Sequence, residues 1–145
     1  MSIEDDIGLL AQVPTFRVLG GEALRMLAIG AELRTFAAGD VLFQAGEAAD
    51  AGYVVRSGSF RITSGRHETI AGPGALIGEL ALVVGTPRPA AAVALDRAEV
   101  LRIARSLFQR VLESDPEAAR RLRDEFMVRS SQAISDLTLV GGRLL

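Results

Sequence analysis

The chain runs to 145 residues, 49% of them apolar and 23% charged, with a formal net charge of −2. It therefore carries enough side-chain surface to bury a real core, which excludes a disordered or low-complexity protein. Having no cysteine excludes a disulfide framework, a thiolate metal site and a cysteine nucleophile, and the 16 basic residues, all Arg, are offset by 18 Asp and Glu, leaving no surplus positive field for a nucleic-acid backbone.

From Ile3 to Leu33 the apolar spacing predicts two short helices broken at Gly20-Gly21. Ile7, Leu10 and Val13 share a face of the first, and Leu24, Leu27, Ala28 and Leu33 a face of the second. The start, Met1 to Asp6, is acidic where a secretory signal would be basic, and no run reaches the ~20 apolar residues of a membrane span, so a soluble cytoplasmic protein is expected.

From Arg34 to Ile103 the pattern shortens to strand-like runs: Val41–Phe43, Tyr53–Val55, Phe60–Ile62, Ala92–Leu95 and Val100–Ile103. Gly39, Gly46, Gly52, Gly58, Gly65 and Gly72 recur between them with turn-forming neighbours, which points to a small roll or sandwich. A short β-solenoid has similar spacing, but no residue motif repeats along with the glycines. The expected fold is mainly β with flanking helices, divided as N-terminal helices 1–33, a strand region 34–104 and C-terminal helices 105–140.

Arg105 to Leu112 reads as one of those last helices, and Asp115-Pro116-Glu117 opens another with a capping carboxylate and Pro at its first position. Its stripe of Ala119, Leu122, Phe126, Ala133, Leu137 and Val140, interrupted at Arg129, suits either packing on the roll or a seam for a second copy of the chain. The sequence ends on Gly141-Gly142-Arg143-Leu144-Leu145, and no further domain is expected after that helix.

The chemistry concentrates between Gly72 and Val93. Glu79 sits among Leu76, Ile77 and Leu80 to Val84, where a carboxylate costs several kcal/mol to bury unless something bonds to it. Gly78 permits close backbone approach and opens a short helix whose first N–H groups are free for an anion. Arg88, brought back by Gly85-Thr86-Pro87, can pair two oxygens of a phosphate or carboxylate. These residue types describe a pocket for an anionic sugar phosphate; equally, Glu79 and Arg88 can pair with each other in a structural salt bridge.

Gly78-Glu79-Leu80-Ala81-Leu82 followed by Pro87-Arg88-Pro89-Ala90 resembles the phosphate-binding cassette of the cyclic nucleotide-binding domain family, found in catabolite activator-type regulators, cyclic-nucleotide-dependent kinases and gated channels. The resemblance extends through Phe36, Gly39-Asp40-Val41-Leu42-Phe43, Gly46-Glu47, Asp50, Tyr53-Val54-Val55, Gly58-Ser59 and Gly72-Pro73-Gly74, covering about Leu9 to Leu122. It implies an eight-stranded β-roll (a jelly-roll-like double-stranded β-helix) with a cassette at 76–91. It further implies that Glu79 accepts from the ribose 2′-hydroxyl and Arg88 pairs with the cyclic phosphate, with Gly78, Leu80 and Ala81 supplying backbone. Val54, Leu76 and the Leu122 to Phe126 region are the implied contacts to the base.

One departure stands out. Where the family has Ala, Ser or Thr after the Arg, Pro89 offers neither N–H nor hydroxyl, and losing one charge-assisted donor costs about 1.5–3 kcal/mol. Ala90 and Ala91 offer no hydroxyl to a base, which favours cAMP over cGMP and weak over tight binding. His67, the only histidine, lies in a polar stretch and reads as a solvated turn residue; neither a catalytic set nor a metal site is apparent, so an enzyme or a cofactor is not expected. The resulting expectation is a stand-alone cyclic nucleotide sensor signalling through its last helix, to its own twin in a homodimer or to another protein, without direct nucleic-acid or membrane contact. Its alternatives are a roll that has lost nucleotide binding and serves as an interaction scaffold, or the effector part of a longer transcriptional regulator.

Overall fold

Ser2 starts the first helix by a reciprocal cap: its hydroxyl accepts from the Asp5 N–H at 3.3 Å while the Asp5 carboxylate accepts from the Ser2 N–H at 3.2 Å. In the computed structural model, which describes residues 2–125, this helix is α1 (Ile3–Ala11), and it is followed by a four-residue α2 (Pro14–Arg17) and by α3 (Gly21–Gly30). The sequence spacing predicts two helices here, whereas Pro14 at the first helical position opens a third. Leu33, assigned by its spacing to a helix face, instead lies in the first strand and is 49% exposed.

Eight strands follow in chain order: β1 (Glu32–Phe36), β2 (Val41–Phe43), β3 (Ala51–Ser57), β4 (Phe60–Ser64), β5 (His67–Ala71), β6 (Leu76–Ile77), β7 (Ala91–Ala94) and β8 (Ala98–Ala104). They form two four-stranded antiparallel sheets, β1-β8-β3-β6 and β2-β7-β4-β5, giving a jelly-roll whose barrel is not closed. The antiparallel pairing removes the solenoid alternative, whose stacked coils would pair in parallel. Of the six glycines expected at corners, Gly39, Gly46, Gly58 and Gly65 have positive φ, but Gly52 lies inside β3 opposite Ile103 and is no corner.

A 3-10 turn at Glu79–Leu82 interrupts the strands, and α4 (Arg105–Ser114) and α5 (residues 116–125) close the described chain. The expected cap on α5 is formed: the Asp115 carboxylate accepts from the Ala118 N–H at 3.1 Å. Phe126, Arg129, Ala133, Leu137 and Val140, placed by the sequence on the same helix, lie outside the described residues.

Period-two alternation splits the apolar side chains between two layers. From β3 and β8, Val54, Leu101 and Ile103 face the helices and pack with Leu10, Phe16, Leu27, Phe108 and Val111. Their neighbours Val55, Ala98 and Val100 face the roll interior with Phe43, Phe60, Ile77, Ala92 and Ala94. Phe16 and Phe108 meet at 5.8 Å between ring centroids, fastening α2 to α4. Among the described residues, no helix is long and apolar enough to cross a membrane.

Candidate functional site

β6 ends at Ile77, and the chain turns sharply at Gly78 into the 3-10 segment. Gly78 has φ +77°, and a Cβ placed on it would stand 2.5 Å from Nη1 of Arg88, so both the backbone conformation and the approaching guanidinium demand glycine. The first bond inside the 3-10 turn runs from the Ala81 N–H to the Gly78 carbonyl, so the turn itself supplies no acceptor to the donors ahead of it.

Arg88 arrives from the opposite side, its backbone held by a small antiparallel pairing. Pro87 bridges Ala48, the Arg88 N–H donates to the Glu47 carbonyl, and the Arg88 carbonyl accepts from the Gly46 N–H, both at 2.8 Å. The side chain turns inward and is only 4% exposed. Its guanidinium lies 4.2 Å above the Phe43 ring centroid and 5.5 Å from that of Tyr53, and Nη2 donates to the Ala51 carbonyl at 2.8 Å. Nε and Nη1 are buried without a hydrogen-bond partner. Burial pulls the guanidinium below the ordinary arginine pKa, and Tyr53, Asp50 and Glu47 oppose that shift. Arginine nevertheless remains a cation.

Glu79, half-buried at the start of the 3-10 turn, accepts at Oε1 from the hydroxyl of Thr15 in α2 at 2.8 Å. Arg88 makes no salt bridge among the described residues, so the structural Glu79–Arg88 ion pair weighed from the sequence is not formed. The two residues nonetheless belong to one small region, since Arg88 packs on Gly78, the residue before Glu79.

The other residues singled out in the sequence divide. Leu80 is exposed beside Val83 and Val84, Ala81 and Leu82 are buried beneath them, Pro89 is exposed and Ala90 half-buried. Val54 and Leu76 pair across β3 and β6 and join the helix-facing layer, Val54 with no exposed surface, while Arg88 stacks on the roll-layer residues Phe43 and Tyr53. Val54 and Leu76, expected to meet a base, thus lie in the helix-facing layer and not in the layer that holds Arg88; on the same strands, Tyr53 and Ile77 are the pair turned toward the roll. His67 is exposed, but it opens β5 opposite Ser64 and is not a turn residue.

Two contributors escaped the sequence reading. Thr15 is one, 64 residues from Glu79 in the chain. The other is Arg105, at the start of α4, whose Nη1 donates to the carbonyls of Ala49, Ala81 and Val84 at 2.9, 3.3 and 3.2 Å and so ties the end of the 3-10 turn to the roll. No local motif announces either; only the tertiary arrangement does.

The family model for the cyclic nucleotide-binding domain matches residues 33–115. A cyclic nucleotide-gated potassium channel from Mesorhizobium japonicum is 34% identical over 127 residues, 88% of this chain, which spans 36% of that channel's length. A solved cyclic nucleotide-binding-like protein from Brucella abortus shares 41% identity at a TM-score of 0.67, over 75% of this chain and 98% of its own. The N-terminal domain of a transcriptional regulator from Streptomyces coelicolor shares 30% identity at a TM-score of 0.79, over 86% of this chain and 94% of its own.

Proposed function

This chain belongs to the cyclic nucleotide-binding domain family, and from that premise we propose that it is a non-enzymatic cytoplasmic regulatory module that binds cAMP and passes occupancy to its C-terminal helix. The observation that carries the reading is Arg88: a cation held inside the roll with two N–H donors unanswered. An unsatisfied buried donor costs about 1–3 kcal/mol, more for a charged group, and an anion within reach removes that cost. A cyclic phosphate supplies the oxygens for Nε and Nη1, and Glu79, one residue past the glycine that Arg88 touches, accepts from the ribose 2′-hydroxyl.

Gly78, Leu80 and Ala81 bring the backbone close to the phosphate in this reading. Pro89 withholds one N–H, which sets the affinity low, and Ala90 and Ala91 give guanine no hydroxyl, which sets the preference for cAMP over cGMP. The exposed Leu80, Val83 and Val84 offer an apolar surface that the last helix covers when the site fills. A partner, either a second copy or another protein, reads that movement.

A second reading, an interaction scaffold without nucleotide, is favoured by Pro89 alone. Calorimetric titration separates the two. Heat with cAMP that exceeds that with cGMP and vanishes in Arg88→Ala and Glu79→Ala supports the sensor, whereas a wild-type protein silent at millimolar cAMP is the scaffold.

A further inference from the structure

The turn entered at Gly78 and the guanidinium of Arg88 come from separate stretches of chain, and Arg105 bonds to the supports of both. Its own N–H donates to the Asp50 carbonyl at 2.8 Å, which fixes the root of the side chain on the roll. Its Nη1, with two N–H groups, shares three carbonyls: Ala49 at 2.9 Å, Ala81 at 3.3 Å and Val84 at 3.2 Å.

These acceptors fall on two segments. Ala49 and Asp50 belong to the stretch 48–51 that also holds Arg88, since Ala48 bridges Pro87 and the Ala51 carbonyl accepts from Arg88 Nη2 at 2.8 Å. Ala81 and Val84 lie at the end of the 3-10 turn, and the Ala81 N–H donates in its turn to the carbonyl of Gly78, the residue on which Arg88 packs. Arg105 thereby fastens the backbone of the turn to the backbone that carries the guanidinium. Regular strand pairing lapses here, because β6 ends at Ile77 and β7 begins at Ala91. Gly85 leaves space for the clasp: a Cβ on it would stand 3.3 Å from both Nη1 and Nη2 of Arg105.

We propose that Arg105 is a positioning residue for the anion site, clamping the 3-10 turn onto segment 48–51 and so setting the separation of the turn backbone and the Arg88 guanidinium before a phosphate arrives. A ligand gripped from two sides binds more tightly when those sides already stand at the right distance, because less freedom is lost on binding. The inference rests on the functional reading above, in which a phosphate lies between the turn and Arg88. Arg105 acts through main-chain carbonyls without touching the nucleotide.

The experiment titrates cAMP calorimetrically, well below each melting temperature, into the wild-type chain, Arg105→Ala, Arg105→Lys, Gly85→Ala and the Gly85→Ala, Arg105→Ala double variant. Arg105→Ala should weaken cAMP about tenfold, and Arg105→Lys, whose ammonium keeps a cationic donor for the carbonyls, should recover most of that loss. Gly85 is not among the positive-φ glycines, so alanine there acts by crowding the guanidinium. Gly85→Ala should weaken cAMP about threefold in the wild-type background and not at all where Arg105 is already alanine. A residue that only braces the fold would lower the melting temperature in Arg105→Ala and leave the affinity of the folded chain unchanged; that result overturns the clamp, as does an equal Gly85→Ala penalty in both backgrounds. If Arg105→Ala does not fold, wild-type affinity in Gly85→Ala overturns it. All of these outcomes leave the cAMP reading standing, whereas a wild-type chain silent at millimolar cAMP overturns that reading and the inference with it.

Discussion

The two apolar layers of this domain are built to different ends. On the helix side, Leu10, Phe16, Leu27 and Phe108 are fully buried, and the buried Thr15 hydroxyl beside them is bonded. Inside the roll many wall positions are alanines, Ala71, Ala92, Ala94 and Ala98 among them, and the one buried charge among the described residues keeps two donors unanswered. A layer of large side chains with its polar group satisfied confers stability. One of smaller side chains around an incompletely satisfied guanidinium gives up some stability and presents a site for an anion.

Damaging the helix layer should therefore cost stability and spare recognition. Phe108→Ala, which empties a fully buried aromatic position against Phe16, should lower unfolding free energy by about 3–5 kcal/mol in urea titration. Affinity of the folded fraction should change far less than stability, because the aromatic pair lies in the helix-side layer whereas Arg88 stacks on roll-layer residues. Altering the cassette surface should do the reverse. Pro89→Ala restores a backbone donor, and cAMP affinity should rise by about one to two decades, from the 1.5–3 kcal/mol of a charge-assisted bond, with little change in melting temperature. Gly78→Ala stands where the two effects meet: a left-handed non-glycine residue costs about 1–2 kcal/mol, and its Cβ would displace the Arg88 guanidinium. Both stability and affinity should fall, read by denaturation and calorimetry on the same preparation.

How much of this is legible in the sequence depends on the range of the interaction. Asp115-Pro116 marks a helix start because cap, proline and first turn are adjacent, and the cap is present. The runs around Val41, Val54, Phe60, Val93 and Leu101 mark strands because each is a short apolar stretch bounded by turn residues, and in β7 alternate residues are buried as well. Strand β5 gives no such signal, since His67 to Ile70 are all exposed and only pairing with β4 makes them a strand. Alternation also leaves open which face meets which layer: Val54 joins the helix-facing layer while Tyr53 packs with the roll. Thr15 and Arg105 act on the cassette through contacts 64 and 24 residues distant in the chain, a range at which spacing carries no information.

Replacing Arg88 by a methionine of similar length tests the account at its centre. Arg88→Met should melt at or above the wild-type temperature, because the buried charge and its two unanswered donors are gone, and cAMP should raise the melting temperature of the wild-type chain alone. A variant that melts well below wild type, or that gains as much from cAMP as wild type does, would contradict the claim that this guanidinium is held in the roll to receive an anion.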